Sequence, residues 1–368
     1  MDMNDIICKT LITIVDRISE TSMPINEFVI KYDKLGIDFK QYLIVCSNGN
    51  DSSVELPSNI SVFFVGKSKD NMRNVLLGII NKSDDYVIHL HQLPSALLFL
   101  KSIKDKIIRN RALFTVHSSF ASRNLKYKLA SVYCLLNIKY ISVVSDSAYY
   151  ALPLIIRSNK KKSIFCVRNG VDFDRVLSNA HNQNFKDKKY NFIAVGRLIA
   201  LKNQRFLIKV LQLIPNMCLT LVGDGNKAKL IKYAESLKVN ERICFTGPIS
   251  RDKVFSTLYN NAFFVSSSKV EGMPVSVLEA MSAGLIPILS PIKPHKEIAN
   301  IVPYCECCDL SVNKWVEKIS SLLSMSEEEF LNASSNIIKN VKLHFSLEKM
   351  LNNYLNIYNT IAREKNAK

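Results

Sequence analysis

The amino-acid sequence predicts an α/β protein with two doubly wound parallel-sheet domains in tandem, and three observations carry that reading. The chain has 368 residues, too many for one ordinary compact domain and enough for two of about 150 to 200 residues, each with its own core. Short β-rich runs alternate with amphipathic stretches almost from end to end, the pattern of parallel sheets covered by helices. The strand candidates also fall into two series, separated by the polar stretch Ser178 to Asn191, which lacks apolar periodicity. Two Rossmann-like domains facing each other across a cleft follow, with ligands expected at the carboxyl ends of the strands.

In chain order, the first series is Leu11 to Asp16, Tyr42 to Cys46, Ser61 to Val65, Tyr86 to Leu90, Ala112 to Val116 and Tyr140 to Val144. The second is Phe192 to Val195, Cys218 to Val222, Ile243 to Phe245, Ala262 to Val265 and Ile286 to Leu289, most of them followed by a polar or glycine-containing turn. Leu347, Met350, Leu351, Tyr354, Leu355 and Tyr358 recur at helical spacing and predict a long closing helix. The expected organisation is an N-terminal domain at 1–177, a linker at 178–191, a C-terminal domain at 192–345, and a helix within 346–368 packing back across the domains.

Hydrophobic residues make up 48% and charged residues 22% of the chain, which excludes a disordered or fibrous protein. No segment reaches the roughly 20 uncharged apolar residues of a membrane-spanning helix. Asp2, Asp5 and Lys9 interrupt the N-terminus, so it does not read as a signal peptide, and the expected location is the cytoplasm. Nine scattered cysteines fit a reducing compartment. Cys305, Cys307 and Cys308 cluster, but no second Cys or His pair at matching spacing completes a zinc site, and the alternative is a short strand and turn.

The net charge of +17 is uneven: −3 over residues 1–100, +12 over 101–168 and +8 over the rest. A block this basic either stays solvated or faces nucleic acid, a phosphorylated substrate or an anionic membrane leaflet.

Four segments of the second half place phosphate-recognising groups just after predicted strands. In Val195-Gly196-Arg197-Leu198-Ile199-Ala200-Leu201-Lys202, the glycine permits a sharp turn, Arg197 offers a planar fork, and Lys202 adds a point charge at a helix start. Val222-Gly223-Asp224-Gly225 is a second glycine turn. Phe245-Thr246-Gly247-Pro248-Ile249 ends a third strand and lines a base-binding slot. The fourth runs from Glu271 through Gly272, Met273, Pro274 and Val275 to Glu279. Pro274 suits the first turn of a helix whose amides face an anion, and the two carboxylates flank that site, one for sugar hydroxyls and one for ribose hydroxyls.

These segments, in this order and spacing, resemble the donor domain of family 4 glycosyltransferases, which have the GT-B fold. The resemblance implies that Arg197 and Lys202, with Gly272, Met273, Pro274 and Val275, hold the donor diphosphate. Glu271 would hold the donor sugar, Glu279 the ribose, and Gly223, Gly247 and Ile249 would line the nucleoside site. Further matches are weaker. Tyr86 to His91 resembles the strand ending in histidines, Thr115-Val116-His117-Ser118 the segment whose histidine reaches the donor, and Val167-Arg168-Asn169-Gly170-Val171-Asp172 the Asn-Gly-Val-Asp element. Phe345-Ser346-Leu347 with Tyr354 and Tyr358 resembles the terminal helix. The first loop, Ser19-Glu20-Thr21-Ser22-Met23-Pro24, departs from the family pattern in having no glycine.

The implied reaction is retaining transfer of a hexosyl group from a nucleotide diphosphate sugar, with uridine as the default base. The acceptor is a saccharide on a polyprenyl diphosphate, bound by the N-terminal domain, in O-antigen, capsule or exopolysaccharide assembly. Glu271 and His117 are the catalytic candidates, and neither a metal nor another cofactor is expected. No carboxylate stands out as a nucleophile, which favours front-face attack with the leaving diphosphate taking the acceptor proton. His89 and His91 share one strand face, either entering the cleft or packed under a helix. Asp172-Phe173-Asp174 imitates a metal-binding Asp-x-Asp, but it follows Asn169-Gly170 and is not read as one. Leu97, Leu98, Phe99 and Leu100, beside Lys101, Lys104, Lys106, Arg109 and Arg111 and followed by Lys126, Lys128 and Lys160 to Lys162, suggest peripheral docking on anionic lipid. The alternatives are a nucleotide-sugar 2-epimerase of the same fold and a basic nucleic-acid-binding protein; against the latter, no recognised nucleic-acid motif is present.

Overall fold

The computed structural model of the chain describes residues 8–364 apart from 20–27, 35–38, 48–53, 55, 84, 118–119, 121–123 and 182–183. The chain forms two compact units, one made of residues 1–168 with 348–368 and the other of residues 169–347. No helix among the described residues is long and apolar enough to cross a membrane.

The first unit holds a seven-stranded parallel sheet in the order β3-β2-β1-β4-β5-β6-β7. Its strands are β1 (Thr10–Val15), β2 (Lys40–Val45), β3 (Ser61–Phe64), β4 (Tyr86–Leu90), β5 (Ala112–Val116), β6 (Tyr140–Val143) and β7 (Ser163–Cys166). Every residue of the central strands β1 and β4 is buried, as expected for a parallel sheet covered on both faces. β7 has no strong sequence signal because it is a half-exposed edge strand flanked by Lys160, Lys161 and Lys162. The C-terminal helix Leu347–Arg363 closes this unit. Its Tyr354 and Tyr358 pack with Phe28 and Tyr32, and Tyr354 stands 4.9 Å from Phe28 between ring centroids.

The second unit holds a six-stranded parallel sheet in the order β10-β9-β8-β11-β12-β13. These strands are β8 (Asn191–Val195), β9 (Cys218–Val222), β10 (Ile243–Gly247), β11 (Phe263–Ser266), β12 (Ile286–Leu289) and β13 (Glu306–Cys307). Each sheet reverses its strand order once, between β1 and β4 and between β8 and β11, and such a reversal opens a ligand crevice at the carboxyl ends.

The division between units does not follow the polar stretch 178–191. That stretch lies inside the second unit and contains the helix Phe185–Lys188, whose one buried side chain, Phe185, stacks on Phe330 with centroids 4.2 Å apart. A single apolar anchor leaves no periodicity to read. The second unit instead begins at Asn169. Its two ends are stitched together: Val171 donates to Phe345 O at 2.9 Å, and Leu347 donates to Val171 O at 3.0 Å. Gly170 allows the contact, since a Cβ there would stand 2.6 Å from both Leu347 Cα and Ser346 O.

Asp172 caps the helix Phe173–Leu177, accepting from Arg175 N at 3.2 Å, so its carboxylate has a structural task. The Cys305–Cys308 stretch forms the edge strand β13 and a turn. Burial pushes the Cys307 thiol up to about 11, which keeps it protonated at neutral pH.

Candidate functional site

Three glycine turns build a cradle at the carboxyl edge of the second sheet. Gly196, Gly223 and Gly225 have φ of +148°, +137° and +139°, a region open to glycine and costly for other residues. A Cβ on Gly223 would lie 2.3 Å from Gly196 O, and one on Gly225 2.5 Å from Leu198 O. The turns after β8 and β9 therefore touch backbone to backbone, with Leu198 N donating to Asp224 O at 2.6 Å.

Over this cradle lies Lys202. Its Cε and Nζ would stand 3.2 and 3.3 Å from a Cβ on Gly196, and Nζ meets Glu271 Oε1 at 2.5 Å. Lys202 follows β8 and Glu271 follows β11, so the pair straddles the strand-order reversal. The two loops are laced together beneath it: the Ser267 hydroxyl donates to Asn203 O at 2.9 Å, Asn203 Nδ2 donates to Ser267 O at 3.3 Å, and Lys269 N donates to Leu201 O at 2.8 Å. Asn203 takes the left-handed conformation, φ 57°, which asparagine tolerates. The Arg197 guanidinium is not drawn into this cluster. Only the Arg197 backbone joins it, its carbonyl accepting from Gln204 Nε2 at 2.9 Å, while the side chain is exposed.

From Glu271 the chain passes Gly272 and Met273 into the helix Val275–Ser282, with Pro274 at the N-cap position, one residue before its expected place in the first turn. Asn169 Nδ2 holds Met273 O at 3.3 Å, fixing the loop ahead of the helix amides. Glu279 lies just over one turn into the helix and is 7% exposed. Its partner was not legible in the sequence: Arg251 Nη2 donates to Glu279 Oε1 at 2.6 Å. Arg251 opens the helix that follows Gly247, Pro248 and Ile249, so this pair adjoins the third glycine turn. Arg251→Ala leaves a buried carboxylate without its cation. The expected result is nucleoside diphosphate binding about tenfold weaker by calorimetry, one lost charge-assisted hydrogen bond.

His295 is the other residue the sequence did not flag. It is fully buried in the helix Lys293–Ala299 that follows β12, with Nδ1 donating to Ser290 O at 2.8 Å, so the neutral ring leaves its Nε2 lone pair bare, and that atom has no partner among the described residues. Burial, with Lys202 adding to it against Glu271 and the Ser290 carbonyl, pushes its pKa down to about 4. The unfolded chain, titrating near 6.5, takes this proton first. Stability is thus full above about pH 6.5 and falls as the pH drops towards 4, by about 3 kcal/mol for this group. Melting temperature against pH should show this acid loss, and His295→Gln should flatten it.

In the first unit, the histidine strand and the Thr-x-His segment come together. His89 Nδ1 bonds Tyr358 OH and His89 Nε2 bonds Thr115 Oγ1, each at 2.7 Å. His91 Nδ1 lies 3.1 Å from His117 Nε2. His117, just past β5, lines a pocket of about 300 Å³ with Asp16, His91 and Gln92. Both strand histidines thus face one side of the sheet, with His89 locked beneath and His91 on the pocket. Ser118 and Glu20 to Pro24 lie outside the described residues.

Comparison with known proteins agrees with this geometry. The profile of the family "Glycosyl transferases group 1" matches residues 178–344. The capsular polysaccharide biosynthesis glycosyltransferase CapH of Staphylococcus aureus is 24% identical over 295 residues, 75% of this chain and 79% of that protein. The UDP-Gal:alpha-D-GlcNAc-diphosphoundecaprenol alpha-1,3-galactosyltransferase of Escherichia coli is 24% identical over 357 residues, 86% and 88% of the two chains. Among solved structures, sucrose-phosphate synthase from Thermosynechococcus elongatus superposes with a TM-score of 0.77 at 14% identity, covering 96% of this chain and 99% of that one. Anabaena HepE in complex with UDP and glucose gives 0.76 at 13% identity, covering 96% and 100%. Residues 178–344 therefore match the glycosyl transferases of group 1, within a chain of the GT-B fold.

Proposed function

We propose that the chain is a retaining, metal-independent hexosyltransferase of family 4 type that moves a sugar from a uridine diphosphate donor to a lipid-linked saccharide in capsule or O-antigen assembly. The observation that carries this reading is the Lys202–Glu271 pair set over the glycine cradle at the strand-order reversal. A diphosphate entering the cradle meets a cation, the Arg197 guanidinium, close backbone amides and a helix N-terminus, so charge developing on the leaving group is stabilised where it forms. Lys202 then exchanges a carboxylate partner for phosphate oxygens, and the released Glu271 carboxylate accepts from donor-sugar hydroxyls. Glu279, oriented by Arg251, accepts from the ribose. The leaving diphosphate takes the acceptor proton. Calorimetric titration with UDP, GDP and inorganic pyrophosphate tests the donor assignment. UDP should bind most tightly, and equal affinity for all three would exclude nucleoside recognition by Glu279 and Arg251.

A lipid-linked acceptor calls for contact with a membrane, and in this reading the first unit supplies it with the cations read from the sequence but with other apolar residues. Phe99 and Leu100 are fully buried under the sheet and cannot reach lipid. Instead, Ile107, Leu125, Leu129, Leu154 and Ile155 are each more than half exposed, next to the exposed Lys104, Lys106, Lys126, Lys160 and Lys161. The helices Leu125–Asn137 and Leu154–Arg157 that carry most of them pack together. Exposed apolar side chains on segments that also carry exposed lysines suit an anionic leaflet. Leu125→Ser with Leu129→Ser should cut co-sedimentation with phosphatidylglycerol vesicles about 100-fold, from the lost apolar burial. The melting temperature should not change, because neither residue is in the core.

A further inference from the structure

The nucleoside end of the second sheet carries a cation that its own helix does not explain. β9 and β10 lie beyond β8 on the side away from β11, and two strand spacings put β10 about 10 Å from β8. Glu279, the ribose candidate, pairs with Arg251, which opens the helix just past Gly247, Pro248 and Ile249. A diphosphate held over the reversal between β8 and β11 thus directs its nucleoside towards the end of β10. Pro248 is exposed and Ile249 half-buried there, an apolar wall for a base.

The sheet is irregular at that edge. Phe245 pairs with Leu221 and Gly247 with Val222, so Thr246 is an extra residue and the ladder slips; such slips re-aim the chain at sheet rims. Gly223 N donates to Gly247 O at 3.0 Å, tying the turn after β9 to the turn after β10. In the first of these turns, Asp224 Oδ1 accepts from Gly225 N at 2.7 Å and Asn226 Oδ1 from Lys229 N at 3.2 Å, so both side chains serve the local backbone. Lys227 does not. It is the first residue of the helix Lys227–Ser236, whose first turn has no acidic residue, and a cation there opposes the helix dipole. The exposed side chain crosses instead from β9 to β10, where Nζ donates to Phe245 O at 3.1 Å, 5.8 Å from the centre of the Phe245 ring. That carbonyl is its one hydrogen-bond partner among the described residues, and no carboxylate there pairs with it.

An ammonium has three N–H groups and no lone pair. One is spent on Phe245 O, and the two left over can meet only acceptors. The bases differ in this respect along one edge of the ring: uracil presents a carbonyl where cytosine presents an amino group, and guanine a carbonyl where adenine presents an amino group. A donor-only side chain bonds the first kind and sets a cation against the N–H groups of the second. We propose that Lys227 is a specificity-determining residue that donates to a ring carbonyl of the base, so that a keto base such as uracil is taken in preference to its amino counterpart cytosine. This rests on the donor site of the proposed function and adds to it the class of base. The diphosphate itself lies two strands away, within reach of Lys202 and not of Lys227.

The test is calorimetric titration of the full chain with UDP and CDP, which differ only along that edge of the base, and the quantity read is the ratio of the two affinities. Wild type should favour UDP by about tenfold, the worth of one charge-assisted hydrogen bond. Lys227→Met keeps the length of the side chain without its donors and should lower the ratio at least about threefold, chiefly by weakening UDP. Lys227→Arg, still a donor only, should stay within about twofold of wild type. Lys227→Glu accepts from an amino group and should bring the ratio below that of the methionine variant. Position 227 is exposed, so the melting temperature should not change in any of them. The ratio separates base reading from simple attraction: a cation acting on the phosphates would weaken UDP and CDP in equal proportion when it is removed. That result, a wild-type ratio near one, or a glutamate variant whose ratio is no lower than that of the methionine variant would overturn the assignment. If both nucleotides bind and the ratio ignores residue 227, base selection alone is lost. If neither binds to wild type, the donor site of the proposed function is lost and this inference with it.

Discussion

Lys202→Ala should lower kcat/KM for sugar transfer by about a thousandfold, and Glu271→Ala by a similar factor, with little loss of folded protein. The size follows from what each change leaves behind. Without Lys202, the Glu271 carboxylate stands uncompensated beside the incoming diphosphate, so a favourable contact becomes a repulsion. Removing one preorganised charge or donor from such a site typically costs about 10² to 10³ in rate. Without Glu271, Lys202 still binds phosphate, but the acceptor for the sugar hydroxyls is gone, so the loss should fall on kcat more than on the donor KM. The pair is only 22% and 12% exposed by side chain, so some stability is lost as well. It should be modest, because the loops below are held by the Ser267, Asn203 and Lys269 hydrogen bonds. Steady-state kinetics with circular dichroism melting separates the two effects. Retention of more than a tenth of wild-type kcat/KM in both variants would remove the pair from the mechanism.

The second large effect is expected at Gly223. Alanine there adds a Cβ 2.3 Å from Gly196 O and 2.8 Å from Gly196 C, at φ +137°. Both contacts are with backbone, which has no rotamer to swing away, so the turns after β8 and β9 must separate. The cost should be about 3 kcal/mol or more from strain and clash, and donor binding should disappear with the cradle. Gly247→Ala is the matched control. Gly247 also has positive φ, +71°, but its Cβ would meet nothing within 4 Å, so only the conformational penalty of about 1 kcal/mol applies. Chemical denaturation of both variants, read against calorimetric binding of UDP, tests the ordering. Equal destabilisation would mean that the cradle does not depend on backbone contact.

Much of the fold was legible because parallel strands buried on both faces leave unbroken apolar runs. Tyr86 to Leu90, Ala112 to Val116, Cys218 to Val222 and Ile286 to Leu289 coincide with β4, β5, β9 and β12. β7 was not legible because an edge strand needs apolar side chains on one face only, and its neighbours are lysines. The helix Phe185–Lys188 was hidden because one phenylalanine anchors it. The apolar run Leu97 to Leu100 misled in the opposite sense: adjacency to lysines in sequence says nothing about which face of the helix is turned to the sheet.

What the sequence determined by itself is the alternation that makes two doubly wound sheets and the order of glycine, cation and carboxylate segments after the strands of the second, since local spacing and turn chemistry act over a few residues. Only the tertiary structure decided which charges meet. Lys202 finds Glu271 and Arg251 finds Glu279 across 69 and 28 residues, and His91 finds His117 across 26. These partners are set by strand order and by the register of neighbouring strands, which bring the ends of distant segments to one edge. Pairing in space, unlike periodicity, leaves no mark on the residues in between.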